Sequence, residues 1–168
     1  TETRVYWLTA AATRERPQYL GEIAGSAGKR AVTSYTEQLV WRPHVNYFAA
    51  LRSDRKSKFF GPAISDDSVE ATLTTRSPLD GPATLTVALQ GSGNGEHEVQ
   101  VRLNGKTLGP MRFLDQGAAQ RSFAISGAAL ADGDNHLELR RLGDRHEVSL
   151  VESVRLRYDR RLDAGGAS

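Results

Sequence analysis

From Ser68 to Tyr158, apolar and polar residues alternate with a period of two. In Ser68–Thr75, Val69, Ala71, Leu73 and Thr75 fall on one face, and Glu70, Thr72 and Thr74 on the other. Successive side chains of a strand point to opposite sides, so this is the pattern of a strand with one side buried. Ala83–Gln90 repeats it with Leu85, Val87 and Leu89. His97–Leu103 sets Val99, Val101 and Leu103 inward against Glu98, Gln100 and Arg102. Phe123 and Ile125, then Leu137 and Leu139, then Val148, Leu150, Val154, Leu156 and Tyr158 continue the series. A 3.6-residue helical period would scatter these residues around an axis, so a helical core is excluded.

The punctuation agrees. Asp80-Gly81-Pro82, Gly91–Gly95, Asn104-Gly105, Gly109-Pro110 and Asp132–Asn135 carry turn chemistry. Leu103-Asn104-Gly105-Lys106 predicts a type I′ hairpin, because asparagine and glycine tolerate the positive φ that such a turn needs. Many short strands with frequent turns predict an all-β, antiparallel two-sheet β-sandwich of jelly-roll type. Residues 66–162 form the jelly-roll body. Residues 1–65 form an aromatic-rich N-terminal extension: a strand pair, Thr3–Thr9 and Ala31–Val40, then a long aromatic connection from Trp41 to Ser68. Pro43–Leu51 suits a short helix. The reading is one domain over 1–162, with 163–168 a linker or disordered tail.

Composition removes several function classes. The 168 residues suit one core. With no cysteine, disulfides, thiolate metal sites and thiol nucleophiles are out. Basic residues number 22 against 20 acidic, too balanced for nonspecific nucleic-acid binding. Arg52, Arg55, Lys56 and Lys58 come nearest to a basic stripe, and Asp54 interrupts them. No apolar run approaches the ~20 residues of a membrane span. Val5–Ala12 is apolar but alternates behind Glu2 and Arg4, unlike an export signal, so the chain is expected to lie downstream of one.

Several stretches together resemble a segment of large exported bacterial proteins of the gingipain-like cysteine peptidase group. They are Val5-Tyr6-Trp7-Leu8-Thr9, Tyr35-Thr36-Glu37 leading to Tyr47-Phe48, and Phe59-Phe60-Gly61-Pro62. His97-x-Val99-x-Val101-x-Leu103-Asn104-Gly105-x-x-Leu108-Gly109 follows, then Phe123-x-Ile125, Leu130, Gly133-x-Asn135 and Tyr158-x-Arg160-Arg161-Leu162. The resemblance implies a β-sandwich that accompanies a peptidase domain, similar in strand pattern to carbohydrate-binding modules and galactose-binding-like domains. The peptidase's catalytic cysteine has no counterpart here, so only the accessory role carries over. Secretion or cell-surface display in a bacterium follows as an expectation.

The residues themselves point away from catalysis. There is no Gly-x-Ser-x-Gly elbow. His44, His97, His136 and His146 are scattered, with His97 and His136 expected at strand edges. Asp66, Asp67, Glu70 and Glu37 could in principle serve glycoside hydrolysis, but nothing in the sequence sets two of them at the spacing it needs, and Glu70 reads as a solvent-facing strand residue. No clustered histidines suggest zinc. No cofactor is expected except a structural calcium ion, for which Asp132 and Asp134, or Asp66 and Asp67, are the loop acids.

Carbohydrate is the sharpest ligand hypothesis, since sugar C–H faces stack on flat rings and sugar hydroxyls need convergent polar partners. Trp41, Tyr47, Trp7 and Tyr19 are the candidate rings, and Arg42, His44, Asn46 and Glu37 the candidate polar groups. Adjacent Tyr6 and Trp7 point to opposite faces, so one of them is core. Two readings stay open: a module, monomeric in isolation, that binds polysaccharide or cell-surface glycan, or a structural domain that packs beside a catalytic neighbour of the same chain. Exposed rings beside polar groups favour sugar; a broad apolar patch favours an interface.

Overall fold

A computed structural model describes residues 33–49, 51, 58–143 and 147–162. Thr3–Thr9, Trp7, Tyr19, His146 and Asp163–Ser168 lie outside the described residues. Eleven strands follow in chain order: β1 Ser34–Trp41, β2 Asn46–Tyr47, β3 Phe59–Phe60, β4 Ala63–Ile64, β5 Val69–Thr75, β6 Pro82–Gly91, β7 Glu96–Leu103, β8 Lys106–Leu114, β9 Ala118–Ser126, β10 Gly133–Arg141 and β11 Ser149–Arg161. One 3-10 turn, Gly127–Ala129, precedes β10.

The strands form an antiparallel two-sheet β-sandwich of jelly-roll type. One sheet runs β1–β11–β6–β9, with β4 also against β11; the other runs β5–β10–β7–β8. β2 and β3 make a separate two-stranded ribbon. The residues that alternate inward fill the gap between the sheets. Val69, Ala71 and Leu73 from β5 meet Leu137 and Leu139 from β10 and Val99, Val101 and Leu103 from β7. Leu85, Val87, Leu89, Val154, Leu156 and Tyr158 come from the opposite sheet.

The Asn104-Gly105 turn has positive φ at both positions, 50° and 77°, as a type I′ hairpin requires. Asn104 also ties the hairpin down. Its amide donates to the Ala129 carbonyl and to Asn135 Oδ1, and its carbonyl accepts from the His136 N–H.

Two expectations are corrected. Pro43–Leu51 holds no helix among its described residues: Asn46-Tyr47 pairs with Phe59-Phe60 as a strand instead. The partner strand satisfies the backbone groups that a helical turn would have paired internally. His97 is no edge residue. It is 1% exposed, stacked on Phe113 with ring centroids 4.8 Å apart, and its Nδ1 lies 3.1 Å from Ser149 Oγ. β7 is an interior strand, and His97 shares the inward phase of Val99 and Val101.

β11 departs from simple alternation. A bulge between Val151 and Ser153 inserts Glu152 and reverses the phase. After the bulge Val154, Leu156 and Tyr158 face the main core. Before it Val151 does so, while Leu150 turns to the outer face and joins Leu51 and Phe60 in a second apolar cluster.

Near its end β11 also anchors β1. The Tyr158 hydroxyl donates to Glu37 Oε2 at 2.7 Å and accepts from the Arg76 N–H at 3.1 Å. Arg160 reaches the same carboxylate oxygen at 3.2 Å. The Tyr158 hydrogen bond, with help from Arg160, holds the Glu37 carboxyl below the usual carboxylate range despite some desolvation. Burial, then the Glu37 contact, pushes the Tyr158 phenol up to about 12.

Register and latch each yield a test. Leu156→Ala is expected to cost about 2–5 kcal/mol in urea unfolding, and Arg157→Ala, one residue on and facing solvent, about 0.5 kcal/mol or less. Because Glu37 is depressed when folded, its contribution is full above its unfolded pKa and fades as acid takes the pH down through the folded value. The raised Tyr158 contributes below its unfolded pKa and loses that contribution as pH rises through about 12. Tyr158→Phe should therefore lower stability by about 1–2 kcal/mol at neutral pH. It should also flatten both limbs of a melting-temperature profile against pH.

Candidate functional site

The ribbon carries two of the sequence candidates, Asn46 and Tyr47, with His44 just before it. Its backbone is closed by Val45 N–H to the Phe60 carbonyl at 2.8 Å and Phe48 N–H to the Lys58 carbonyl at 3.0 Å. Adjacent residues of a strand face opposite ways. Phe60 therefore goes inward against Leu51 and Leu150, and Phe59 outward. Phe48 packs edge-on to Phe60, with centroids 6.3 Å apart.

Gly61 sutures the ribbon to the sandwich. Its N–H donates to the Val151 carbonyl at 2.7 Å, and the Val151 N–H donates back to the Pro62 carbonyl at 3.1 Å. A Cβ at position 61 would stand 2.9 Å from Pro43 Cγ and 3.1 Å from the Val151 oxygen, so only glycine allows this approach without a shift. The Asn46 amide donates to the Gly61 carbonyl at 2.9 Å.

Three rings stand on the outer side. Tyr47 is 60% exposed and Phe59 49% exposed; their centroids are 4.9 Å apart with planes at 49°. His44, also exposed, lies 6.0 Å from Phe59 between ring centroids. Val45 beside them is 67% exposed.

The remaining candidates are placed differently. Trp41 is half-buried and packs against the main core as the last inward residue of β1. Arg42 lies 3.7 Å from the buried Glu152 carboxylate at the bulge, so it braces the start of the ribbon segment. Asn46 serves the Gly61 junction. Glu37 belongs to the Tyr158 latch. Phe59 is the contributor the sequence reading did not put forward, although adjacent strand residues must divide between the two faces.

The calcium candidates are committed elsewhere. Asp132 Oδ1 accepts from the Ser77 N–H at 2.9 Å, and Asp134 Oδ1 from the Thr74 hydroxyl at 2.7 Å. Asp66 pairs with Arg141 at 2.9 Å, and Asp67 is exposed. Calcium takes six to eight oxygens. Among the described residues no group of three or more His, Asp or Glu side chains converges to supply them. These acids as placed do not fit a calcium cage.

A cleft of about 690 Å³ opens between the β7–β8 hairpin and the end of β9, lined by Leu103, Leu108, Ile125, Lys106 and Thr107. Neither Trp41 nor Tyr47 lines it.

Comparison with known proteins follows the fold. No family model and no curated protein matches the chain. Dimeric latent PorU from Porphyromonas gingivalis is similar in structure, with a TM-score of 0.59 and 13% identity over 82% of this chain. The chain spans only 14% of that protein's length. The CBM36-1 domain of a multidomain xylanase from the hindgut metagenome of Trinervitermes trinervoides aligns at a TM-score of 0.48 and 12% identity, over 79% of this chain and 99% of that domain. A CBM36 carbohydrate-binding module in complex with calcium and xylotriose aligns at 0.47 and 16%, over 71% and 98%. At 13% identity the likeness to the PorU segment is one of fold alone, a β-sandwich.

The Gly61 junction can be tested directly. Gly61→Ala should push the residue-61 backbone away from Pro43 and Val151 and speed hydrogen exchange at the amides of residues 61 and 151. The urea midpoint of the sandwich should move little, because the main core is untouched.

Proposed function

We propose that this domain is a non-catalytic module of a secreted multidomain protein that binds polysaccharide through the outer face of the ribbon. The observation that carries the reading is the exposure of Tyr47 and Phe59 on a ribbon held rigid from beneath by Leu51, Phe60 and Leu150. A ring pre-set by its backbone loses little conformational freedom when a sugar face stacks on it. His44, at the flank, supplies a polar edge for a hydroxyl. Trp41, Arg42 and Asn46 act as supports, fixing where the ribbon leaves β1 and meets β11. The rings are tilted rather than coplanar, which suits a twisted polysaccharide chain better than a flat crystalline surface. The module acts as a monomer and displays its parent protein on glycan outside the cell.

One observation favours the second reading, a docking face for a neighbouring domain: Val45, 67% exposed within the same segment, adds apolar surface to the rings. Affinity electrophoresis against a panel of neutral and acidic polysaccharides separates the two. Retardation of the native domain, weakened about tenfold (about 1.4 kcal/mol) by Tyr47→Ala or Phe59→Ala, is the expected result. No retardation by any member of the panel leaves the docking reading in its place.

A further inference from the structure

The chain contains two Asn-Gly pairs, Asn94-Gly95 and Asn104-Gly105. In such a pair the glycine nitrogen reaches the asparagine side chain without a Cβ in its way. The fold treats the two pairs differently.

At Asn104 the side-chain amide is held on every side. Nδ2 donates to the Ala129 carbonyl at 3.1 Å and to Asn135 Oδ1 at 2.8 Å, and Oδ1 accepts from the His136 N–H at 2.9 Å. At Asn94, exposed in the loop joining β6 to β7, the side-chain amide bonds to none of the described residues. It is the following peptide that is held. Gly95 N–H donates to Asp115 Oδ1 at 2.8 Å, and the Gly95 carbonyl accepts from the Asp115 N–H at 2.7 Å. The nitrogen that would attack thus donates its proton to a carboxylate oxygen, at the reach a general base needs, while the side chain it would attack is exposed and bonded to none of the described residues.

We propose that Asn94 is a site of self-modification by deamidation, and that Asn104 is protected from it. The Gly95 nitrogen adds to the Asn94 side-chain carbonyl carbon as its proton passes through Asp115 to the leaving group. The new C–N bond closes a five-membered succinimide, the bond to the side-chain nitrogen breaks, and ammonia departs. Water then opens the ring at either carbonyl and leaves aspartate or isoaspartate; nothing is oxidised or reduced. Either product sets a second carboxylate close to Asp115, where like charges repel. Isoaspartate also lengthens the main chain of the loop by one carbon. Both changes loosen the clamp between this loop and the turn that joins β8 to β9.

The test is peptide mass mapping, with an isoaspartate methyl-acceptor assay, on the 168-residue chain held at mildly alkaline pH. Conversion should build up several-fold faster at Asn94 than at Asn104 in the native protein, and the two rates should converge in urea. Asp115→Asn keeps an oxygen to accept the Gly95 bond but cannot take the proton, and asparagine suits the φ of 53° at this position. That variant should slow conversion at Asn94 and leave Asn104 unchanged. The proposal falls if Asn104 converts as fast as Asn94 in the folded chain, if the difference persists in urea, or if a folded Asp115→Asn protein converts at the native rate.

Discussion

The bulge at Glu152 is the constraint on which the rest of the molecule depends. One strand, β11, pairs with β1, β4 and β6, and it must serve two apolar clusters on opposite sides of its own sheet. Strict alternation gives a strand one buried side. A single inserted residue changes which parity faces inward, so Val151, Val154, Leu156 and Tyr158 can fill the sandwich while Leu150 supports the ribbon outside it. Glu152, carried at the insertion, is buried and draws Arg42 toward it, so the same irregularity also fixes where the chain leaves β1.

Ribbon and sandwich are consequently built on different terms. The sandwich is held by a large apolar interior and by polar ties at its ends, such as the Asn104 and Asn135 amides and the Glu37–Tyr158 pair. The ribbon has two residues per strand, too short to stand alone in water. It keeps its shape because Phe60 is buried beneath it and Gly61 lets its backbone lie against Val151. What it presents outward is aromatic and apolar, with one imidazole at the side.

The body of the fold was legible from residue parity. Val69–Thr75 and His97–Leu103 keep one phase from end to end, and both appear as strands with that face buried. The Asn-Gly hairpin was legible because its chemistry is local. His97 was in plain sight too, sharing the parity of Val99, but its polarity suggested an edge. The phase change in β11 was not legible, since Leu150 and Leu156 have the same parity and nothing local marks Glu152 as an insertion. The ribbon was missed for a related reason. Two-residue strands carry no period, and Asn46-Tyr47 finds Phe59-Phe60 only through pairing across a long connection. Of the candidates, the Tyr47 ring and the His44 polar group both come within reach of Phe59, which needed the structure to separate it from Phe60.

Dividing the apolar residues into two clusters has an evolutionary consequence. Leu51, Phe60 and Leu150 touch the outward surface's support but not the interior between the sheets. Substitutions that reshape the display therefore draw on a separate reserve from those that endanger folding. A lineage can exchange one outer surface for another while the scaffold remains as it was.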